Sequence, residues 1–255
     1  MDLGLKNKVV LVTGAGKGLG KAIGLAFAQE GANVAFHYNS SAEGAQDAVK
    51  EATKLGVKAV TVGADLADGQ AVRDAVDAVK AQLGPIDILI NNSAVTQSKP
   101  FLESTEDDWA PQIGITVTGT LRVTHAVATQ MVDNDVQGVI INLMGDSGRV
   151  GESRLLVTAT TRSTTVGLTK SLAKELARYK IRANAVSIAL VQTGSMDDHV
   201  GNADEAKMKR ILSAYPLRRF GRPDDVTPTI LLLASPLSSW TTGQVMSVNG
   251  GYSMP

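Results

Sequence analysis

The chain of 255 residues carries 25 Lys and Arg against 25 Asp and Glu, and 44% of it is hydrophobic. Zero net charge removes the long-range attraction that nucleic acid or an anionic membrane would exert. The lack of cysteine excludes disulfides, thiolate catalysis and zinc-thiolate centres, and the three His residues show no HxH or HxxxH spacing for a metal.

Residues 1–8 are charged and run straight into the first apolar segment, with no signal-like region. The longest apolar runs, such as 136–143, are too short to span a bilayer, so a cytoplasmic protein is expected. Short β-branched runs at 9–12, 33–36, 59–62, 86–90, 139–143 and 183–187 read as buried strands. Between them, 21–30, 42–55, 70–83, 121–132 and 163–178 have helical periodicity, with Asp68 and Ser104 as candidate N-caps. The polar stretch 191–215 reads as a mobile flap containing a short helix. Strand–helix alternation implies parallel strands joined by right-handed crossovers. The expected fold is α/β: a Rossmann-like, doubly wound parallel sheet of about seven strands with helices on both faces. No repeat or linker divides residues 1–255, so a single domain is expected.

Thr13-Gly14-Ala15-Gly16-Lys17-Gly18-Leu19-Gly20 follows the first strand and opens the first helix. Glycines there permit a tight turn and close backbone approach to a pyrophosphate, at a helix end whose free N–H groups favour anions. A tight strand-to-helix turn uses the same glycines with no ligand, so both readings stand. The second strand ends Phe36-His37-Tyr38-Asn39-Ser40-Ser41, with no carboxylate to grip a ribose 2′-hydroxyl. Lys17 offers a charge to a 2′-phosphate, which leans toward NADP; a solvated turn lysine is the alternative.

These segments, taken together, resemble the short-chain dehydrogenase/reductase family from Lys8 to Tyr252. The glycine turn is joined by Ala64-Asp65-Leu66, by Asn91-Asn92-Ser93-Ala94 in place of NNAG, and by Gly167-Leu168-Thr169-Lys170-Ser171-Leu172-Ala173. Arg182-Ala183-Asn184-Ala185-Val186, Gly221-Arg222-Pro223-Asp224-Asp225-Val226 and Val248-Asn249-Gly250-Gly251-Tyr252 complete the match. The resemblance implies an NAD(P) site formed by Gly14, Lys17, Gly18, Leu19, Gly20, Asp65, Leu66, Asn91 and Thr193. In the family, Asp65 would meet the adenine, Asn91 the adenine ribose and Thr193 the nicotinamide amide.

The resemblance also implies hydride transfer between nicotinamide and a carbonyl or alcohol carbon, served by an Asn, a Ser, a Tyr and a Lys four residues after the Tyr. Ungapped flanking motifs place those positions on Thr116, Gly145, Thr158 and Arg162. None of the four tyrosines has a Lys four positions on. A phenol titrates near pH 10, whereas an aliphatic hydroxyl such as that of Thr158 starts far higher, so proton transfer by the family's route is expected to fail. The leading expectation is therefore a non-catalytic subunit with no catalytic residues of its own. Its partner would be an active short-chain dehydrogenase homologue acting on a hydroxyacyl-CoA-type alcohol, with contacts through 121–132, 157–178 and 245–255. The alternatives are a cryptic enzyme using Arg162, Asp146 or Thr158, and an NAD(P)-sensing regulator. Asp146 is read either as a polar partner of Arg162 or as a loop cap, and His125 as a helix-face residue.

Overall fold

The computed structural model describes residues 1–193 and 205–254. Among them a seven-stranded sheet runs in the order β3-β2-β1-β4-β5-β6-β7. The strands are β1 (Val9–Val12), β2 (Asn33–Tyr38), β3 (Ala59–Gly63), β4 (Ile88–Asn91), β5 (Val139–Gly145), β6 (Arg182–Ile188) and β7 (Val245–Val248). Every pairing is parallel, with β1 between β2 and β4. The chain reverses its direction of travel across the sheet between β1 and β4. At such a switch point the loops leaving the strands' carboxyl ends diverge and open a crevice.

Side chains alternate across each strand, and both faces are covered, as a parallel sheet requires. Val10 and Val12 join Ile23, Phe27, Phe36 and Ile230 in one core layer. Val9 and Leu11 join Val76, Val79, Val127 and Met131 in the other. The first layer lies under α1 (Gly18–Gln29), α2 (Ala42–Lys54) and α9 (Pro223–Ala234). The second lies under α3 (Gly69–Leu83), α5 (Thr120–Asp133) and the C-terminal part of α7 (Leu156–Leu176), which the single-turn α6 (Ser147–Val150) precedes.

Asp68 caps α3 as expected, its carboxylate accepting from the amides of Gln70 and Ala71. The second expected cap is displaced by one residue. Thr105, not Ser104, caps α4 (Glu106–Ile113), with Asp108 closing a reciprocal capping box. Ser104 Oγ is taken up by Phe101 O and by the indole N–H of Trp109. Helix α7 begins seven residues before the expected start at 163. Its first turns are rich in threonine, whose branched Cβ lowers helix propensity and hides the element from a propensity reading. Thr158, Thr161, Thr165 and Thr169 form its buried face. Between α4 and α5 the helix continues as a π-helical turn, Gly114–Gly119, and Thr116 lies within it. Such widened turns displace a backbone carbonyl and recur at functional sites.

The expected flap falls partly on residues 194–204, outside the described residues. Its short helix is present as α8 (Glu205–Ser213). No helix among the described residues is long and apolar enough to cross a membrane.

Candidate active site

The glycine turn sits at the carboxyl end of β1. Gly14 adopts φ +63°, and a Cβ there would lie 2.8 Å from Ser93 Oγ. A Cβ on Gly20 would lie 2.3 Å from Gly14 O and 2.5 Å from Asn92 Nδ2. Two backbone segments therefore approach one another too closely for any side chain. Lys17, exposed and extended at φ −159°, precedes α1 as its N-cap residue and provides no side-chain cap. A helix N-terminus beside a Cβ-free cradle fits a pyrophosphate. Replacing Gly20 by alanine is expected to weaken nucleotide binding at least tenfold and destabilise the fold by about 1–3 kcal/mol, through overpacking. Titration calorimetry and thermal unfolding of the purified variant check both.

The remaining sequence-derived nucleotide residues divide by where their side chains go. Thr193 reaches the turn: its Cβ is 3.6 Å from where a Gly18 Cβ would stand. Asp65 is exposed at the end of β3, with Oδ1 accepting the Ala67 amide. Leu19 packs on one core layer, and Leu66 is buried in the other, only 4% exposed, so Leu66 can offer a ligand little beyond its backbone. Asn91 also turns inward. Its amide donates to Thr124 Oγ1 at 2.9 Å and Asn142 Oδ1 at 2.8 Å, joining β4 to α5 and β5.

Two residues inside the motifs matter more than their spacing announced. Thr13 Oγ1 accepts the amides of Asn92 and Ser93, and Asn92 Nδ2 donates to the carbonyls of Thr13 and Gly14. The carboxyl ends of β1 and β4 are thereby locked across the switch point.

From Asn92 the chain runs along the crevice as a segment that hydrogen-bonds Thr116, Arg162 and Thr158 in turn. Val95 N donates to Thr116 Oγ1 at 3.1 Å. Thr96 Oγ1 accepts from Arg162 Nη2 at 3.2 Å, and Gln97 N donates to Thr158 Oγ1 at 3.3 Å. Thr158 in turn donates to Gln112 Oε1 at 2.6 Å, while Gln112 Nε2 holds Asp108 O at 3.0 Å. Asp108 lies well below the usual carboxylate range, held there first by Lys99, then by the Thr105 amide and Gln97. Arg162, one turn beyond Thr158 on α7, has its pKa drawn down to about 10 by burial. Gly145 ends β5, and a Cβ there would meet only Ser147 Oγ at 3.5 Å, an ordinary contact.

Asp146 does not pair with Arg162. It is 2% exposed and accepts hydrogen bonds from Ser187 Oγ, Asn249 Nδ2 and Ser253 Oγ. With its oxygens committed to three donors it fastens β5 to β6 and the C-terminal segment. The candidate chemical role for Asp146 is corrected accordingly. His125 is exposed on α5, as a helix-face residue should be.

Residues 14–253 match the family model described as enoyl-(acyl carrier protein) reductase. The 3-oxoacyl-[acyl-carrier-protein] reductase FabG of Thermotoga maritima is 36% identical over 97% of this chain and 98% of its own length. The chain belongs to the short-chain dehydrogenase/reductase family. L-xylulose reductase of Mus musculus is a second named relative, 36% identical over 99% of each chain. A short-chain dehydrogenase/reductase of Mycobacterium marinum superposes with TM-score 0.89 at 31% identity, covering 100% of this chain and 98% of that one. One of Brucella melitensis, described as a glucose/ribitol dehydrogenase, gives TM-score 0.89 at 27% identity with full coverage of both chains.

The expectation of a non-catalytic subunit is overturned by these relatives. The named relatives above are reductases matched across nearly the whole chain, and nothing among them points to a subunit without activity. The reasoning from Thr158 alone weighed one hydroxyl's acidity. It gives Arg162 at most a ribose contact or a place in a cryptic enzyme, whereas its half-buried guanidinium, one turn from Thr158, hydrogen-bonds Thr96 on the crevice wall.

Proposed function

We propose that this short-chain dehydrogenase/reductase is an NADPH-dependent carbonyl reductase, with Thr116, Gly145, Thr158 and Arg162 at the family's four polar positions. One observation carries the reading. The single segment 92–97 hydrogen-bonds the glycine turn, Thr116, Arg162 and Thr158 in sequence, so nucleotide cradle and guanidinium share one crevice.

The nicotinamide, when bound, supplies the hydride. The protein's task is then to receive the negative charge that develops on the carbonyl oxygen. Arg162 remains protonated at neutral pH and offers a cation and directed N–H donors; fixed donors of this kind in a half-buried cleft are typically worth a factor of about 10²–10³ in rate. Thr158 holds the wall in place. Its hydroxyl donates to Gln112 and accepts from Gln97, so it positions the 97–112 segment, and the proton reaches the product oxygen from water.

Support for NADPH comes from the absence of a carboxylate after β2 and from exposed Lys17 and Ser40 near the turn. Ser41 O packs against Gly16, 2.6 Å from where a Cβ would stand, which brings the β2–α2 link beside the cradle. The relatives' names suggest a ketone, either a 3-oxoacyl thioester or a ketose. We also propose pairing with a short-chain dehydrogenase homologue through α5 and α7, where Leu121 and Leu156 are exposed.

The test is NADPH consumption by the purified protein with a 3-oxoacyl thioester and with a ketose, each repeated with NADH. Turnover with one substrate, at least tenfold faster with NADPH, is expected. No oxidation of either nucleotide above the protein-free control would overturn the reading.

A further inference from the structure

We propose that His37 is the positioning residue of the nucleotide turn, and that its two hydrogen bonds make nucleotide binding fall away in mild acid. The inference rests on the reading of that turn as a nucleotide cradle. His37 lies in β2, only 4% exposed, between the glycine turn and the end of β3. Nε2 is 3.0 Å from Ala64 O, and Nδ1 is 3.1 Å from Gly14 N. A carbonyl oxygen only accepts, so Nε2 carries the hydrogen; Nδ1 then presents a lone pair, which the Gly14 amide requires. Only the neutral ring protonated at Nε2 satisfies both neighbours.

The backbone of the same residue holds the next amide of the turn, because Ala15 N donates to His37 O at 2.7 Å. His37 therefore fixes two successive amides at the point where Gly14 takes its positive φ. A second proton would place an N–H at Nδ1 facing the Gly14 N–H, two donors head to head. One must move, and the Gly14 peptide is the part of the turn that is free of a side chain.

The surroundings offer the imidazolium nothing. β1 presents Leu11, Thr13 follows it, β3 presents Val62, α3 presents Val72, and none of the described residues lining this small pocket carries a titratable side chain apart from His37. Asp65, next in sequence to Ala64, has Oδ1 committed to the Ala67 amide. Burial accordingly holds His37 below its ordinary value of 6.5, with the bond to Ala64 opposing this only in part. For a group depressed in this way the folded state is intact above pH 6.5. The unfolded chain binds the proton first, so stability declines as pH falls from 6.5 toward the folded value.

The experiment has two arms. In nucleotide-free wild-type protein, ¹⁵N–¹H correlation spectra are followed from pH 8 to pH 5. The expected result is an Nε2–H tautomer at pH 8 and a Gly14 amide resonance that titrates together with the His37 ring. A Gly14 resonance indifferent to the ring, or an Nδ1–H tautomer, overturns the proposal. In the second arm NADPH affinity is measured between pH 7.5 and 5.5 for wild type and for His37→Asn, whose Oδ1 can accept from Gly14 without titrating. The 2′-phosphate titrates in both proteins and cancels in the ratio. Wild-type affinity should fall at least fivefold more than that of the variant, and parallel profiles overturn the proposal. If neither protein binds NADPH at any pH, the cradle reading fails, and the first arm alone decides whether His37 holds the turn.

Discussion

Replacing Arg162 by alanine is expected to lower kcat/KM for carbonyl reduction by a factor of about 10²–10³, with most of the loss in kcat. The residue is half-buried on α7 and tied to Thr96 on the crevice wall, so it needs no rearrangement to face a reacting oxygen. A lysine at this position keeps the charge but not the planar fork, and should restore only part of the activity. Guanidinium ion added to the alanine variant should raise its kcat, a rescue that a purely structural arginine would not show. The pH profile adds an independent check. The active form is protonated, and its pKa is drawn down to about 10 by burial, so wild-type turnover should decline as pH climbs through that value. The alanine variant should lack that limb. Turnover within threefold of wild type in the alanine variant would remove Arg162 from the chemistry.

Much of the sheet was legible because its strands are buried on both faces and read as continuous apolar runs. The runs at 9–12 and 139–143 fall inside β1 and β5. β2 extends beyond its expected end at 36 because polar residues continue it: His37 bonds back to Gly14 and Ala64. Buried polar groups that complete each other's hydrogen bonds do not register as hydrophobic pattern. The same cause hid the first turns of α7, where the buried face consists of threonines.

At the site, motif spacing located the glycine turn and the four positions Thr116, Gly145, Thr158 and Arg162. It could not show that the segment 92–97 links the turn to Thr116, Thr158 and Arg162, because two of those links depend on backbone amides that any residue carries. Nor could spacing distinguish the inward-facing side chains of Asn91 and Leu66 from the outward-facing one of Asp65. The error over function had a specific physical origin. It judged proton transfer by the residue at the tyrosine position, although the charge that builds on a carbonyl oxygen can be met by a cation from the next turn of the same helix.

Asp146→Ala should cost on the order of 3 kcal/mol of folding stability, because it strands several buried donors at once. The carboxylate is met by Ser187 of β6 and by Asn249 and Ser253 beyond β7, while its own amide donates to Ile188 O at 2.8 Å. Charge-assisted hydrogen bonds from neutral donors are stronger than neutral ones, which is how a carboxylate only 2% exposed is accommodated here. For a chain of this size such a loss corresponds to a melting temperature lower by about 6–12 °C. Asp146→Asn preserves shape and one acceptor but turns an NH₂ group toward the same donors, so an intermediate loss is expected. The C-terminal segment should also become cleavable first, since Asn249 and Ser253 lose the group that fastens them to β5. Arg162→Ala, by contrast, should melt within about 2 °C of wild type, because it leaves behind only one threonine hydroxyl of a water-accessible cleft. Thermal unfolding of the three variants side by side, with limited proteolysis, separates the clamp from the chemistry. A melting temperature for Asp146→Ala close to that of wild type would mean that the C-terminal segment is held by packing alone.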